Sequence, residues 1–458
     1  MVVKTTRRFL KTIFDRIKNE RLKLSLLQAL PFWLASLVTG IFAVLYARLF
    51  AAAEQISAAI FHEHAALFFM ITPLCFLIAW WLVISLSPFA RGSGIPQVMA
   101  SIELANPRHN DKVNRLLSLR IIVVKIFSTL VMVVGGGAVG REGPTIQIAG
   151  SVFRKINLWL PDWWPKISKR NMIMTGAAAG LAAAFNTPLG GIAFAVEELT
   201  KTHISYFKTA LFTAVIIAGL TAQGLLGPYL YLGYPDVSHL SYLIIFGLLI
   251  VAVITGISGS VMAKLILLLL KWKAGFRHKY QHLIYITACG LIIVTIAFFI
   301  DERVLGSGKE LMTKVLFTQD KQVSWYTAIF RMAGPILSFT TGAAGGVFAP
   351  ALSAGAAVGS LVAGLLHTTA GNANLLILCG MVGFLTGVTR SPFTSAILVL
   401  EMTDRHSVIF YLMIAGTIAG IFARLIDRHS FYDHLKLQYM HELQHEDEAK
   451  HHPPEHQR

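Results

Sequence analysis

The chain has 458 residues, of which 55% are hydrophobic and only 14% charged, against about 25% charged in an ordinary soluble domain. That composition excludes a water-soluble globular protein. The formal net charge of +16 does not indicate a nucleic-acid partner. Lys and Arg gather at the N-terminus (Lys4, Arg7, Arg8, Lys11, Arg16, Lys18, Arg21, Lys23) and in short loops (Arg154, Lys155, Lys166, Lys169, Arg170), the distribution of positive-inside topology signals.

Residues 1–28 form a long basic region, and no small-residue cleavage site comes after it. A signal peptide is therefore not expected, and the segment is expected to lie in the cytoplasm as a basic interfacial helix. Long uncharged apolar runs come next, at Ala29 to Phe50, Ala65 to Ser85, Ile284 to Ile300 and Val408 to Ala423. Each is near the ~20 residues needed to cross ~30 Å of hydrocarbon, so many spans are predicted. Cys75, Cys289 and Cys379 lie in or beside such runs without paired spacing. They are expected to be packing residues, with no disulfide, zinc or other cofactor. Residues 426–458 turn polar and His-rich (His429, His434, His441, His445, His451, His452, His456) and are too short for a folded domain. A solvated cytoplasmic tail is expected there, with metal binding as the lesser reading.

Within the apolar stretches the pattern breaks repeatedly: Gly92-Ser93-Gly94-Ile95-Pro96, Gly140-Arg141-Glu142-Gly143-Pro144, Gly345-Gly346-Val347-Phe348-Ala349-Pro350, and the pair Asn186-Thr187-Pro188 and Arg390-Ser391-Pro392. Backbone groups freed by Gly or Pro at membrane depth are tolerated only where protein or a watery cavity satisfies them, so such breaks mark sites. In the first three, glycines precede a Pro suited to the first turn of a helix. Each reads as a loop opening a helix whose N-terminal N–H groups attract an anion. A single cluster of this kind is more simply a packing turn. Three in one chain favour an anion site near the midplane.

A repeat is also legible. The stretch GAAAGLAAAFNTPLGGIAFAVEELT from Gly176 aligns without gaps on GMVGFLTGVTRSPFTSAILVLEMTD from Gly380, with Pro188 on Pro392 and Glu197 on Glu401. Two halves are expected, residues 29–236 and 237–425. An inverted relation between them is favoured, because both termini look cytoplasmic and each half holds short, Gly-rich segments.

In order and spacing, GSGIP at Gly92, GREGP at Gly140 and GGVFAP at Gly345 resemble the three selectivity-filter motifs of the CLC family of chloride channels and chloride/proton antiporters. The resemblance covers the membrane part and looks closest to prokaryotic members without cytoplasmic regulatory domains. It implies an all-α polytopic membrane protein of two inverted repeats with many tilted and broken helices. It further implies a homodimer with one pore per subunit in a bacterial inner membrane, both termini cytoplasmic, with chloride and protons as the transported species.

Carried across, the filter comprises Gly92, Ser93, Gly94, Ile95, Pro96, Gly140, Arg141, Glu142, Gly143, Pro144, Gly346, Val347, Phe348, Ala349, Pro350 and Tyr432. Ser93 matches the family's central-site hydroxyl, a neutral donor suited to a halide, although a Ser in a Gly turn also reads as a local cap. Tyr432 falls where the family closes the inner side of that site, with an interfacial-belt tyrosine as the competing reading. Arg141 reads as a structural partner or an entryway charge.

An ionisable carboxyl at membrane depth costs about 2.5 to 3.5 kcal/mol, which makes Glu142 a functional candidate on its own. It resembles the family's gating glutamate, an anion that competes with chloride when ionised and leaves when protonated. Glu198 matches the inner proton-transfer glutamate of the exchangers, and Glu197 reads as a helix end that recurs at Glu401. The implied function is chloride/proton exchange. A passive chloride channel is the alternative, and fluoride/proton exchange is disfavoured. Gln97 stands where an acidic residue is expected. No enzyme is expected, because the spans carry no His-Glu-x-x-His, nucleophile elbow or metal-spaced cluster.

Overall fold

In hydrocarbon the main chain must satisfy its own N–H and C=O groups, and a chain this apolar does so by folding into helices. The computed structural model describes residues 12, 14–15, 17–106, 109–199, 208–227 and 230–451. Among the described residues there is no strand, and the only bridges are the isolated pairs Gly92 with Ala344 and Gly140 with Gly346.

The helices run in chain order: α1 (Glu20–His64), α2 (Phe68–Leu86), α3 (Ile95–Glu103), α4 (Asn110–Leu116), α5 (Leu119–Val134), α6 (Glu142–Trp159), α7 (Lys169–Phe185), α8 (Pro188–Phe194) and α9 (Lys208–Leu226). After a non-helical segment containing residues 236–237, the expected junction of the halves, come α10 (Ile244–Ala274), α11 (Lys279–Phe299), α12 (Lys309–Phe317), α13 (Trp325–Thr340), α14 (Phe348–Leu365), α15 (Ala370–Thr389), α16 (Pro392–Thr403), α17 (Ile409–Ile426) and α18 (Phe431–His451). Eight helical stretches among the described residues are long and apolar enough to cross a membrane. Leu34, Trp81, Phe127, Phe246 and Phe410 project outward, exposed, as lipid-facing side chains do.

The centre is held by close approach of backbones. A Cβ on Gly359 of α14 would lie 2.5 Å from the Leu376 carbonyl of α15, and one on Gly387 of α15 would lie 2.7 Å from the Gly256 carbonyl of α10. Small residues at these crossings let helices associate by packing where no hydrophobic drive separates protein from lipid. Every residue of α15 from Gly371 to Thr389 is buried.

The repeat reappears as geometry. α7 and α15 each end on a left-handed residue, Asn186 (φ 58°) and Arg390 (φ 63°), and each is succeeded by a hydroxyl residue and a Pro that opens a short helix. The carboxylate of Glu197 accepts hydrogen bonds from the Phe393 and Thr394 N–H groups (3.1 and 2.6 Å) at the start of α16. Reciprocally, Glu401 accepts from the Leu189 and Gly190 N–H groups (3.0 and 2.6 Å) at the start of α8.

Two expectations are corrected at the ends. α1 begins at Glu20, capped by the Asn19 side chain accepting from the Leu22 N–H (3.1 Å), so the boundary expected at residue 28 falls inside a helix. Of the N-terminal basic residues, Lys4, Arg7, Arg8, Lys11 and Arg16 lie outside the described residues. Among the described residues, Phe431–His451 form a helix and not a solvated tail. α18 buries Phe431, Tyr432, Leu435, Tyr439 and Leu443, a stripe at helical spacing that needs a protein surface to cover it. It is pinned to the first half by Lys436 to Glu103 (2.7 Å) and Arg91 to Glu442 (2.5 Å). His452 and His456 lie outside the described residues.

Candidate anion site

The three Gly-rich breaks meet. Gly92 N–H donates to Ala343 O (2.8 Å) and Gly345 N–H to Gly92 O (3.1 Å), while Gly140 and Gly346 exchange bonds of 2.7 and 2.8 Å. These ladders fix the starts of α3, α6 and α14 against one another. Gly94, at φ 102°, turns the chain into α3 with Pro96 in its first turn, a backbone conformation open to glycine and strained for other residues. A Cβ on Gly346 would lie 3.2 Å from the Gly143 nitrogen, and one on Gly143 would collide with Ser93 Oγ. The first intrahelical bonds are those of Val98, Thr145 and Ala351. The N–H groups ahead of them have no intrahelical acceptor, and so carry the partial positive charge of three helix ends.

An anion site also requires that carbonyls be turned elsewhere, and buried side chains hold them. Lys125 Nζ donates to Gly92 O (2.8 Å) and Arg91 O (3.4 Å). Gln97 Nε2 donates to Arg91 O (2.7 Å) and Phe89 O (3.1 Å), and Gln147 Nε2 to Leu116 O (2.9 Å) and Phe89 O (3.2 Å). This accounts for Gln97 where an acid was expected: an amide donates to carbonyls, and a carboxylate does not.

Ser93 and Tyr432 come together from opposite ends of the chain. Both are buried, and their hydroxyls lie near enough to interact with each other, while neither meets full hydrogen-bond geometry with any described residue. The Tyr432 ring stacks on Phe348 at 6.1 Å between centroids. Ile95 and Pro96 open α3, Pro144 lies in the first turn of α6, and Ala349 and Pro350 in that of α14 directly after Val347.

Glu142 is 1% exposed. A Cβ on Gly140 would collide with Glu142 Oε2 and lie 3.4 Å from the Ala349 nitrogen, so the carboxylate, carried by the first residue of α6, lies beside the start of α14. The Tyr231 hydroxyl donates to its Oε1 at 3.5 Å. Arg141 turns away, donating to Ala184 O (3.1 Å) at the end of α7. Lys309 Nζ sits 4.6 Å above the Tyr231 ring and lines a cavity of about 570 Å³ with Glu54, Ser307 and Lys314.

Glu197 and Glu198 share a π-helical turn, Ala195–Leu199. There Glu198 Oε2 accepts from Ser391 Oγ at 2.5 Å.

Three residues of this site were missed in the sequence. Lys125 had a signal, a lone cation inside the apolar run of α5. Ser391 was visible only as the counterpart of Thr187 in the repeat. Tyr231 had none, since it lies in a non-helical segment and reaches Glu142 through the fold alone.

A helical membrane protein with broken helices converging on a buried site belongs to the class of ion transporters. A family model described as voltage gated chloride channel matches residues 75–424. The chain belongs to that family and is an integral membrane transport protein. Its fold is similar to the X-ray structure of a slow cyanobacterial Cl⁻/H⁺ antiporter (TM-score 0.77, 22% identity, covering 90% of this chain and 97% of that one). It is also similar to a CLC-type fluoride/proton antiporter (0.74, 20%, 91% and 98%) and to a eukaryotic CLC transporter (0.74, 19%, 90% and 74%).

Proposed function

We propose that the protein exchanges chloride for protons, with Glu142 as a gate that competes with the anion. The observation that carries this reading is the place of the Glu142 carboxylate, buried between the starts of two helices, its Oε2 beside Gly140 and the Ala349 nitrogen and without a hydrogen-bond partner among the described residues. Ionised, it holds the position an external anion would take. Protonated, it has no charge to be held there, and chloride displaces it. Chloride then lies among N–H groups and the hydroxyls of Ser93 and Tyr432, which bind it without a permanent cation. The proton on Glu142 crosses to the inner side by way of Glu198. Gly92, Gly94, Gly140, Gly143 and Gly346 let the backbone approach the ion. Val347, Phe348 and Ala349 form the third wall.

A homodimer with one pore per subunit is the assembly the family resemblance supports. A bacterial inner membrane with cytoplasmic termini is the setting the family resemblance supports. Ser93 favours chloride over fluoride as the anion.

The test is proton uptake by purified protein in liposomes under a chloride gradient, read with a pH electrode for wild type, Glu198→Gln and Glu142→Gln. Chloride-driven proton movement, lost in both variants while chloride flux persists, is expected. Chloride flux with no proton movement in the wild type would make the protein a passive channel.

A further inference from the structure

We infer that Ser391 is a positioning residue for the inner proton-transfer glutamate, orienting the Glu198 carboxylate through a hydroxyl hydrogen bond. The inference rests on the exchange reading above. Its support is a break in an otherwise symmetric structure.

Glu197 and Glu401 are equivalent in the repeat and do the same thing, each capping the short helix of the other half. The caps are therefore architecture, shared by both halves. The next residue along the chain differs between the halves. After Glu197 comes Glu198, and its Oε2 accepts from Ser391 Oγ at 2.5 Å. After Glu401 comes Met402, which has no side chain to receive a bond from Thr187, the counterpart of Ser391. Thr187 Oγ1 is buried without a hydrogen-bond partner among the described residues.

The same backbone position, with φ and ψ of −117° and 76° at Ser391 and −127° and 81° at Thr187, thus carries a hydroxyl in both halves. Only one of the two meets a carboxylate. The caps recur in both halves, while the second carboxylate and its donor occur in one, the half that carries the proposed proton route.

The geometry assigns the bond a definite task. The π turn at Ala195–Leu199 sets Glu197 and Glu198 on the same short helix start by different atoms, main-chain N–H for one and the Ser391 hydroxyl for the other. Such turns recur at functional sites. A carboxylate with three rotatable bonds must present one oxygen repeatedly in one place to pass protons. A buried hydroxyl at 3% exposure, itself fixed as the residue before Pro392, restricts the side chain to that place.

The experiment compares wild type, Ser391→Ala and Ser391→Thr in liposomes, measuring chloride flux and chloride-driven proton flux together. Thr is the conservative replacement because Thr187 already occupies this backbone conformation. In Ser391→Ala, chloride flux is expected within about twofold of wild type while proton flux falls about tenfold or more, the loss of one charge-assisted hydrogen bond. In Ser391→Thr the proton flux returns. An Ala variant that couples as well as wild type would overturn the assignment. So would chloride and proton flux falling in step, which would make Ser391 a packing residue, or a Thr variant as uncoupled as Ala. A wild type that moves no protons overturns the exchange reading first, and this role with it.

Discussion

Glu197 and Glu401 cap each other's half of the molecule: each ends a helix in its own repeat and accepts two main-chain N–H groups from the short helix of the other. Four donors that α8 and α16 leave without intrahelical acceptors are satisfied in this way. Replacing an N-terminal cap by Ala costs about 0.5–2 kcal/mol. Glu197→Ala and Glu401→Ala should therefore each lower the thermal midpoint in detergent by a similar amount, with near-additive loss in the double variant. A loss confined to one of them would show that the two caps are not equivalent.

On the exchange reading proposed above, Glu142→Gln removes the titrating group from the gate. Wild-type chloride flux should rise as pH falls, because protonation neutralises the carboxylate that competes with chloride, and it should fall as pH rises. In the variant the flux should be flat across the same range, about pH 5 to 8. Flux assays at matched chloride gradients check this, and an unchanged pH dependence in Glu142→Gln would remove Glu142 from the gate.

The Tyr231 hydroxyl holds Glu142 Oε1 at 3.5 Å, the long end of the hydrogen-bond range, so its contribution is small, about 0.5–1 kcal/mol. Tyr231→Phe should raise chloride flux at neutral pH about two- to fivefold by loosening the gate, with little change at low pH where the gate is neutral. A reduced flux would mean that the ring, rather than the hydroxyl, matters.

Lys125→Met keeps the length of the side chain and deletes the donor to Gly92 O and Arg91 O. Gly92 O keeps the Gly345 N–H and Arg91 O keeps Gln97 Nε2, so the loss is that of one charge-assisted hydrogen bond, about 1.5–3 kcal/mol, on the segment that carries Ser93. Chloride affinity by calorimetry should fall about tenfold or more. Unchanged affinity would show that the first filter loop holds its shape without the lysine.

The filter breaks were legible because Gly and Pro act locally: GSGIP, GREGP and GGVFAP announce their turns wherever they lie. Their convergence was not legible, since it depends on main-chain ladders between Gly92 and Ala343 and between Gly140 and Gly346, which any residues could make. The repeat showed that Glu197 and Glu401 correspond, but not that each reaches across to the other half. α18 was misread because its His, Lys and Glu residues mask a four-residue spacing at Phe431, Leu435, Tyr439 and Leu443. Average polarity outweighed periodicity. Gln97 looked like a departure from pattern only until the carbonyls around it were counted.

The place of Tyr432 has a mechanical consequence. The residue sits in the first turn of α18, and the same helix is anchored to α3 by Lys436 to Glu103 and beside the first filter loop by Arg91 to Glu442. Load applied to the C-terminal side of α18, by a bulky fusion partner or a surface tether, is transmitted along a stiff rod to a phenol that faces Ser93. A tag at that end should therefore disturb the proposed anion site more than a probe on an outward loop, which the chloride flux of the two labelled proteins checks.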